Sequence, residues 1–169
     1  MIPGNPPCSP GNIQFNPRIM IRVRQAVPTD VQTIARFQEK LALETENIHL
    51  ETHTVEAGVN AVFFDSARGT YYIAEAAGEI KACLLITREW SDWRDGWMLW
   101  IQSVYVLPDY RKKGIFKALY DHIKQLVEDR NDLKGIRLYV DRANERAIRV
   151  YRHCGMDGEH YSLFEWIKK

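Results

Sequence analysis

The sequence lacks the features that mark membrane, secreted or metal-built proteins. Its three cysteines, Cys8, Cys83 and Cys154, are far apart and form no CxxC pair, so neither a disulfide framework nor a zinc site is expected. No apolar run approaches the ~18 residues that a membrane-spanning helix needs. Neither sign of charge is in excess: 23 Lys and Arg stand against 22 Asp and Glu, for a net charge of +1. No global field therefore draws the chain to nucleic acid or to a membrane surface, and any anion site must be local. The apolar core of a signal peptide is also missing, which points to the cytoplasm. There is no internal repeat, no GxxxxGK[ST] phosphate loop and no GxGxxG dinucleotide fingerprint.

What is present is a soluble, globular composition: 46% hydrophobic and 27% charged residues over 169 positions, enough for one domain with a sizeable core. Five of the seven prolines (Pro3, Pro6, Pro7, Pro10, Pro17) fall in the first twenty residues. Residues 1–20 therefore read as an irregular, Pro-rich N-terminal arm and residues 21–169 as the domain.

Within that domain, residues 21–26 alternate like a short strand. Pro28-Thr29-Asp30 opens a helix that Thr29 or Asp30 can cap, and a second helix is expected from about Val55 to Ser66. Strands at 71–76 and 80–87 flank the turn Ala77-Gly78-Glu79. Trp90 to Trp97 reads as a loop with aromatic anchors. Met98 to Leu107 is a long strand, with Met98, Trp100, Gln102, Val104 and Val106 on one side. An amphipathic helix runs from Gly114 to about Arg130, with Ile115, Leu119, Ile123, Leu126 and Val127 at spacings of three and four. A strand at 135–141, a short helix at 144–153 and a last strand at 161–167 complete a mixed α/β order. Cys83 reads as core. Cys154 reads as a small packing residue that could also approach a bound thioester.

One segment carries chemistry. The long strand ends at Pro108-Asp109-Tyr110, three consecutive basic residues follow (Arg111, Lys112, Lys113), and a helix begins at Gly114. The first turn of a helix presents unpaired N–H groups and the positive end of its dipole, a ready site for phosphate. Gly114 lets the backbone approach an anion with no Cβ in the way. A solvated basic loop before a helix has the same local pattern.

The wider pattern, Val104-Tyr105-Val106-Leu107-Pro108-Asp109-Tyr110-Arg111-Lys112-Lys113-Gly114-Ile115, resembles the signature of the GNAT superfamily of N-acetyltransferases: a strand, then Arg/Gln-x-x-Gly-x-Gly/Ala, then a helix. Downstream, Asn144-Glu145-Arg146-Ala147-Ile148-Arg149-Val150-Tyr151-Arg152-His153-Cys154-Gly155-Met156 is similar to that family's second signature. The resemblance covers roughly residues 21–167. It implies an α/β fold of the acyl-CoA N-acyltransferase type, a central, mostly antiparallel sheet flanked by helices. It also implies acetyl-CoA as co-substrate, no metal, and direct transfer of the acetyl group to an amine.

Residue by residue, the resemblance gives the backbone of Val104, Tyr105 and Val106 the task of pairing with pantetheine. Arg111, Lys112, Lys113, Gly114, Ile115, Phe116 and Lys117 would hold the pyrophosphate, chiefly through loop amides. Asn144 would hydrogen-bond pantetheine, besides or instead of capping its helix. Tyr151 would protonate the departing thiolate, or else serve as a core aromatic. Two residues depart from the family pattern. Phe116 stands at the second small position, where its ring either turns into the core or narrows the groove. Gln102 stands where several members carry a Glu, and glutamine cannot act as a general base. A carboxylate from elsewhere (Glu44, Glu75 or Asp92), a water relay held by Gln102, or an amine that arrives partly neutral are the three resolutions left open.

The implied partner is a small-molecule or protein amine, with no nucleic acid and no membrane. Trp90, Trp93, Trp97 and Trp100 either line the acceptor pocket or pack in the core. The run Arg142, Arg146, Arg149 and Arg152 reads as solvated or as lying near the cofactor's outer phosphate. His49 and His53 lack a third metal ligand at suitable spacing. A homodimer is common in the family, although no residue pattern here fixes the oligomeric state. Gln102 and Phe116 also admit a non-catalytic acyl-CoA-binding or regulatory module on the same fold. The basic loop further admits a protein-interaction domain with an acidic partner.

Overall fold

The computed structural model describes residues 20–168, so the Pro-rich arm falls outside the described residues. Five strands form one sheet in the order β1 (Ile21–Gln25), β2 (Thr70–Ala76), β3 (Glu79–Ser91), β4 (Gly96–Val106), β5 (Leu133–Leu138). The first four run antiparallel to their neighbours, and β5 lies parallel to β4. Two helices, α1 (Val31–Glu46) and α2 (Thr52–Phe64), connect β1 to β2. Helix α3 (Ile115–Glu128) is the crossover between β4 and β5 that a parallel pair requires. Helix α4 (Glu145–His153) follows β5.

The elements form where the residue patterns place them, with instructive shifts. The β2–β3 hairpin turns on two residues, Ala77 (φ 53°) and Gly78 (φ 78°). Both central positions have the positive φ that matches the twist of paired strands. Strand β3 runs to Ser91, beyond the expected end at 87. Trp90 stands opposite Trp97 in the register, with their rings edge to face at 5.1 Å. This cross-strand aromatic pair extends the ladder and shrinks the expected loop to Asp92–Asp95. Asp30 is buried at the start of α1, but its carboxylate turns back to accept from the Val27 N–H (2.8 Å) and from Arg24 (2.7 Å), leaving the helix amides without it.

The sheet separates two apolar clusters. On one face, α3 brings Ile115, Leu119 and Ile123 onto Leu84, Ile86, Leu99 and Ile101. On the other, α1 and α2 bring Ile34, Phe37 and Val59 onto Ile73, Cys83 and Tyr105. Leu119 is fully buried, and truncation there leaves a cavity that the sheet cannot collapse into. Leu119→Ala is expected to lower stability by about 2–5 kcal/mol, read as a drop in the urea midpoint with unchanged slope.

Burial raises the Asp30 carboxyl, but the Arg24 and Val27 hydrogen bonds outweigh it and hold the group below its ordinary value of 3.8. A depressed carboxyl stabilises the fold above its unfolded value and loses that contribution as pH falls through the folded one. Asp30→Asn should therefore cost about 1–3 kcal/mol at neutral pH, and the gap to the wild type should close on acidification below pH 3.8. Urea titrations across that range measure it, and a gap that persists in acid would contradict the assignment.

Two expectations need correction. The even positions of β4 do not share one side: Val104 and Val106 pack with Leu99 and Ile101 on the α3 face, while Tyr105 joins the α1 face. The cause is an extra residue at Ser103. The expected strand at 161–167 also does not form; residues 161–168 have no regular structure. Among the described residues, the outer edge of β5 is therefore unpaired.

Candidate active site

The site begins at the irregularity in β4. Cys83 pairs with Tyr105 and Leu85 with Gln102, so Ser103 and Val104 together oppose Leu84 alone. Ser103 takes a left-handed φ of 49°. This is a β-bulge, which re-aims the side chains beyond it and bends the strand. Pairing with β5 stops at Ile101, opposite Leu138. From Gln102 onward β4 leaves its parallel neighbour, and among the described residues the β5 side of its backbone has no strand partner. Arg111 Nε donates to Val106 O at 2.8 Å, so the open stretch narrows to the bulge, Val104 and Tyr105. Gln38 of α1 donates from Nε2 to Ser103 O at 3.5 Å.

The strand leads directly to the helix mouth. Between them Lys112 (φ 62°) and Gly114 (φ 82°) both adopt left-handed backbone. Gly114 suits this because it has no Cβ penalty there. The first hydrogen bond of α3 runs from Ala118 N to Gly114 O at 2.9 Å. The amides of Ile115, Phe116 and Lys117 thus have no intrahelical acceptor and point out of the helix end. That donor set fits a pyrophosphate.

The basic side chains divide by role. Arg111 is not free at the rim: besides Val106 O it pairs with Glu44 Oε2 at 2.5 Å, and Glu44 Oε1 accepts from Tyr105 Oη at 2.9 Å. Burial raises the Glu44 carboxyl, yet Arg111 and Tyr105 bring it below its usual value, so it stays ionised as a clamp between α1 and the loop. Lys117 pairs with Asp121 one turn on. Lys112 and Lys113 form no ion pair among the described residues, and Lys113 lies over the Tyr110 ring at 5.1 Å.

Phe116 turns inward. Its ring stacks with Tyr120 at 6.3 Å and meets Tyr151 edge to face at 5.5 Å. The bulky ring at the second small position therefore does not fill the helix mouth. Asn144 caps α4, accepting from Ala147 N–H at 3.0 Å through Oδ1, which leaves its amide NH₂ for another acceptor. Tyr151 lies seven residues on, two turns away on the same side of α4. Burial first, and then the neighbouring Cys154, raise the Tyr151 phenol above its ordinary value of 10, so it carries its proton at neutral pH. Cys154 packs at the edge of the α3 cluster, and its thiol is likewise raised, chiefly by burial. The fully buried Cys83 thiol is pushed up to about 12.

On the α1 face beyond the bulge, Gln102 Nε2 donates to Thr87 Oγ1 at 2.7 Å. Next along that face, Trp100 Nε1 donates to Glu89 Oε2 at 2.6 Å, Arg137 pairs with Glu89 Oε1, and Tyr139 stacks on Trp100 at 4.5 Å. Of the four tryptophans considered, only Trp100 shares this face with Gln102. Trp90 and Trp97 face the α3 side, and Trp93 is exposed. Of the three candidate bases, Glu75 pairs with Arg24 on β1 and Asp92 holds the Trp93 N–H at the far end of β4, so only Glu44 reaches the bulge region. Sequence reasoning missed Gln38, Thr87, Glu89 and Arg137. Alternation along β3 could have put Thr87 and Glu89 on one face, but only the strand register brings them beside Gln102. A separate cavity of about 310 Å³, lined by Tyr72, Arg88, Trp97 and Leu126, lies on the α3 side at the other end of the sheet and touches none of these groups.

A bulged strand that parts from its parallel neighbour and ends at an anion-ready helix forms a groove suited to an extended, phosphate-bearing ligand. The sequence profile of the acetyltransferase (GNAT) family matches residues 35–156, and the chain belongs to that family. It is similar to a possible acetyltransferase from Clostridium difficile 630, with 38% identity over 88% of this chain and 98% of the other, at a TM-score of 0.81. The fold also matches a predicted acetyltransferase with acetyl-CoA from Clostridium acetobutylicum (19% identity, 86% and 96% covered, TM-score 0.66). A third match is an aminoglycoside acetyltransferase from an uncultured soil metagenomic sample in complex with sisomicin (14% identity, 88% and 97% covered, TM-score 0.70). No protein in the curated set matches the sequence.

Proposed function

We propose that the chain transfers the acetyl group of acetyl-CoA to an amine by direct attack in a ternary complex. The observation that carries this reading is the continuous run from the open β4 backbone at Ser103–Tyr105 to the unpaired amides at the start of α3. One end suits an extended pantetheine chain, and the other suits a pyrophosphate. Lys112 and Lys113 add charge at the mouth, and the Asn144 amide NH₂, which capping does not use, would donate to the pantetheine arm.

Acetyl-CoA supplies an activated thioester. The protein's part is to orient it, polarise its carbonyl from the β4 backbone and handle two protons. The amine nitrogen bonds to the acyl carbon as the C–S bond breaks. Tyr151 Oη donates a hydrogen bond to the leaving sulfur and gives up its proton as the thiol forms. A thiolate of pKa near ~8.5 needs only a modest donor, and the phenolate regains a proton from solvent. The amine must lose a proton as well. Gln102 donates one amide hydrogen to Thr87, and its Oε1 would hold an ordered water that takes the amine's proton and passes it to solvent. The relay reading is thereby favoured over Glu44, whose carboxylate is engaged as a clamp.

The acceptor side is the face carrying Gln102, Trp100, Glu89 and Tyr139. An indole stacked on a phenol offers an apolar floor for an amine acceptor, and the Glu89 carboxylate beside it is shared between Trp100 Nε1 and Arg137, which lies over the indole at 5.8 Å. The complex of the soil-derived acetyltransferase with sisomicin is consistent with that class. The competing reading, a non-catalytic acyl-CoA-binding module, rests on Gln102 in place of a carboxylate.

A thiol-release screen with acetyl-CoA against small amines, aminoglycosides, amino acids and basic peptides separates the two. Release with an amine, and only with both substrates present, is expected. Saturable acetyl-CoA binding with no release across the panel would favour the binding module, and no acetyl-CoA binding would reject both.

A further inference from the structure

The wedge between the C-terminal half of α3 and the sheet takes no part in the groove described above. It encloses about 310 Å³, at the lower end of the ~300–1,000 Å³ of small-molecule pockets and well above the voids that a packed interior leaves. At the ~30 Å³ that a water-sized group takes in a liquid, it has room for about ten non-hydrogen atoms. Its inner end abuts the core. Ile86, Leu99, Ile123 and Leu133 form the floor, and none of them is more than 7% exposed. Tyr72 of β2 and Trp97 of β4 supply aromatic walls, and the Tyr72 ring rests on His122 of α3 at 5.4 Å.

The mouth is cationic. Arg88 and Arg130 both line it. Arg130 is neutralised by Asp132, to which its Nε and Nη2 donate at 3.0 and 2.6 Å. Arg88 stands opposite Leu99 in the register, on the α3 face, and forms no ion pair among the described residues. One positive charge is therefore left uncompensated. Burial lifts the Tyr72 phenol above its ordinary value of 10, so it keeps a hydrogen to donate. A second cavity, of about 390 Å³ between α3 and β5, has the opposite character. It carries two carboxylates, Glu128 and Asp157, against one lysine, Lys124, and so repels an anion.

We propose that the wedge at Arg88 binds a small aromatic monocarboxylate, with its ring against Tyr72 and Trp97 over the apolar floor and its carboxylate on Arg88. The ring gains from burial and from aromatic contact, and the carboxylate matches the fork of a guanidinium. One charge is the limit, because the second charge of a phosphate ester would face Asp132. The site lies at the other end of the sheet from the proposed acetyl-CoA groove, and the proposal does not rest on acetyl transfer.

Titration of the full chain with phenylacetate, followed by the N–H shifts of its amides and indoles in NMR spectra, tests it. Phenylacetamide and phenyl phosphate serve as the neutral and dianionic comparisons. The expected Kd for phenylacetate is about 1–5 mM or tighter, as suits a ligand of this size, with the Trp97 indole N–H among the signals that move. Phenylacetamide should bind about tenfold more weakly, and phenyl phosphate no more tightly than phenylacetate. Arg88→Gln, at an exposed side chain, should weaken phenylacetate about tenfold, and Leu126→Trp should block the wedge. No binding by about 20 mM overturns the proposal, as does an amide that binds as well as the acid or a phosphate ester that binds more tightly. Undiminished binding in either variant also overturns it. If neither variant folds, the wild-type spectra decide: a shifted Trp97 indole supports the site, and shifts confined to other signals refute it.

Discussion

Replacing Tyr151 by phenylalanine should lower kcat about 100-fold while leaving the affinity for acetyl-CoA within about twofold, the range expected for loss of one positioned proton donor. The phenol is buried and held protonated, and its ring already packs on Phe116. Tyr151→Phe keeps that packing and deletes only the hydroxyl, so fold and cofactor groove should survive. The measurement is steady-state kinetics with the amine found in the screen, beside calorimetric titration with acetyl-CoA. If kcat is unchanged, Tyr151 is a core aromatic and water protonates the sulfur. If affinity falls in step with rate, the hydroxyl binds ligand in place of serving as the acid.

The second large effect is expected at the helix mouth. Arg111 and Lys117 are engaged with Glu44 and Asp121, which leaves Lys112 and Lys113 as the side chains free to meet phosphate. Lys112→Glu/Lys113→Glu should weaken acetyl-CoA binding by about 10- to 100-fold at low salt. This corresponds to about 1.4–2.8 kcal/mol, the range of one or two charge-assisted contacts. The loss should shrink as ionic strength rises, because both lysines are exposed and screened. Titrations at low and high salt measure both parts of the effect. An unchanged affinity would assign phosphate binding to the amides alone. Arg111→Glu should act differently, unfolding the protein at lower urea, because it breaks the clamp to Glu44 and releases Val106 O.

Much of this was legible in the residues because it is local. The amphipathic period from Ile115 to Val127 dictates α3, and the positions of Pro108 and Gly114 dictate where strand ends and helix begins. The free amides at the α3 N-terminus follow from helix geometry alone, and their value to an anion does not depend on the rest of the fold. Asn144 announces a cap, and its Oδ1 makes one. The seven-residue step from Asn144 to Tyr151 places both on one side of a helix without any tertiary information.

Other features were hidden for a physical reason. A bulge is one extra residue, and one extra residue reverses every side chain after it. Alternation along β4 was therefore right up to Gln102 and reversed from Val104, and nothing local at Ser103 signals the change. Arg111 looked like a phosphate ligand because its partner, Glu44, lies far off in the chain on α1. Phe116 had two open rotations until α4 placed Tyr151 beside it. Glu89 and Arg137 are distant in sequence and meet only because β3 and β5 flank β4. The C-terminal run has the composition of a strand, but a strand also needs an edge to pair with, and within this chain the described residues leave that run unpaired.

The sequence by itself determined the family, the order of elements from β1 to α4, the anion-ready turn and the phenol seven residues from its capping asparagine, because each depends on neighbours along the chain. Only the tertiary structure decided which basic residues are free, which way Phe116 points, where β4 opens and which groups share a face with Gln102. Those outcomes depend on contacts between segments tens of residues apart, which follow from how the sheet pairs and from the single bulge that breaks its alternation.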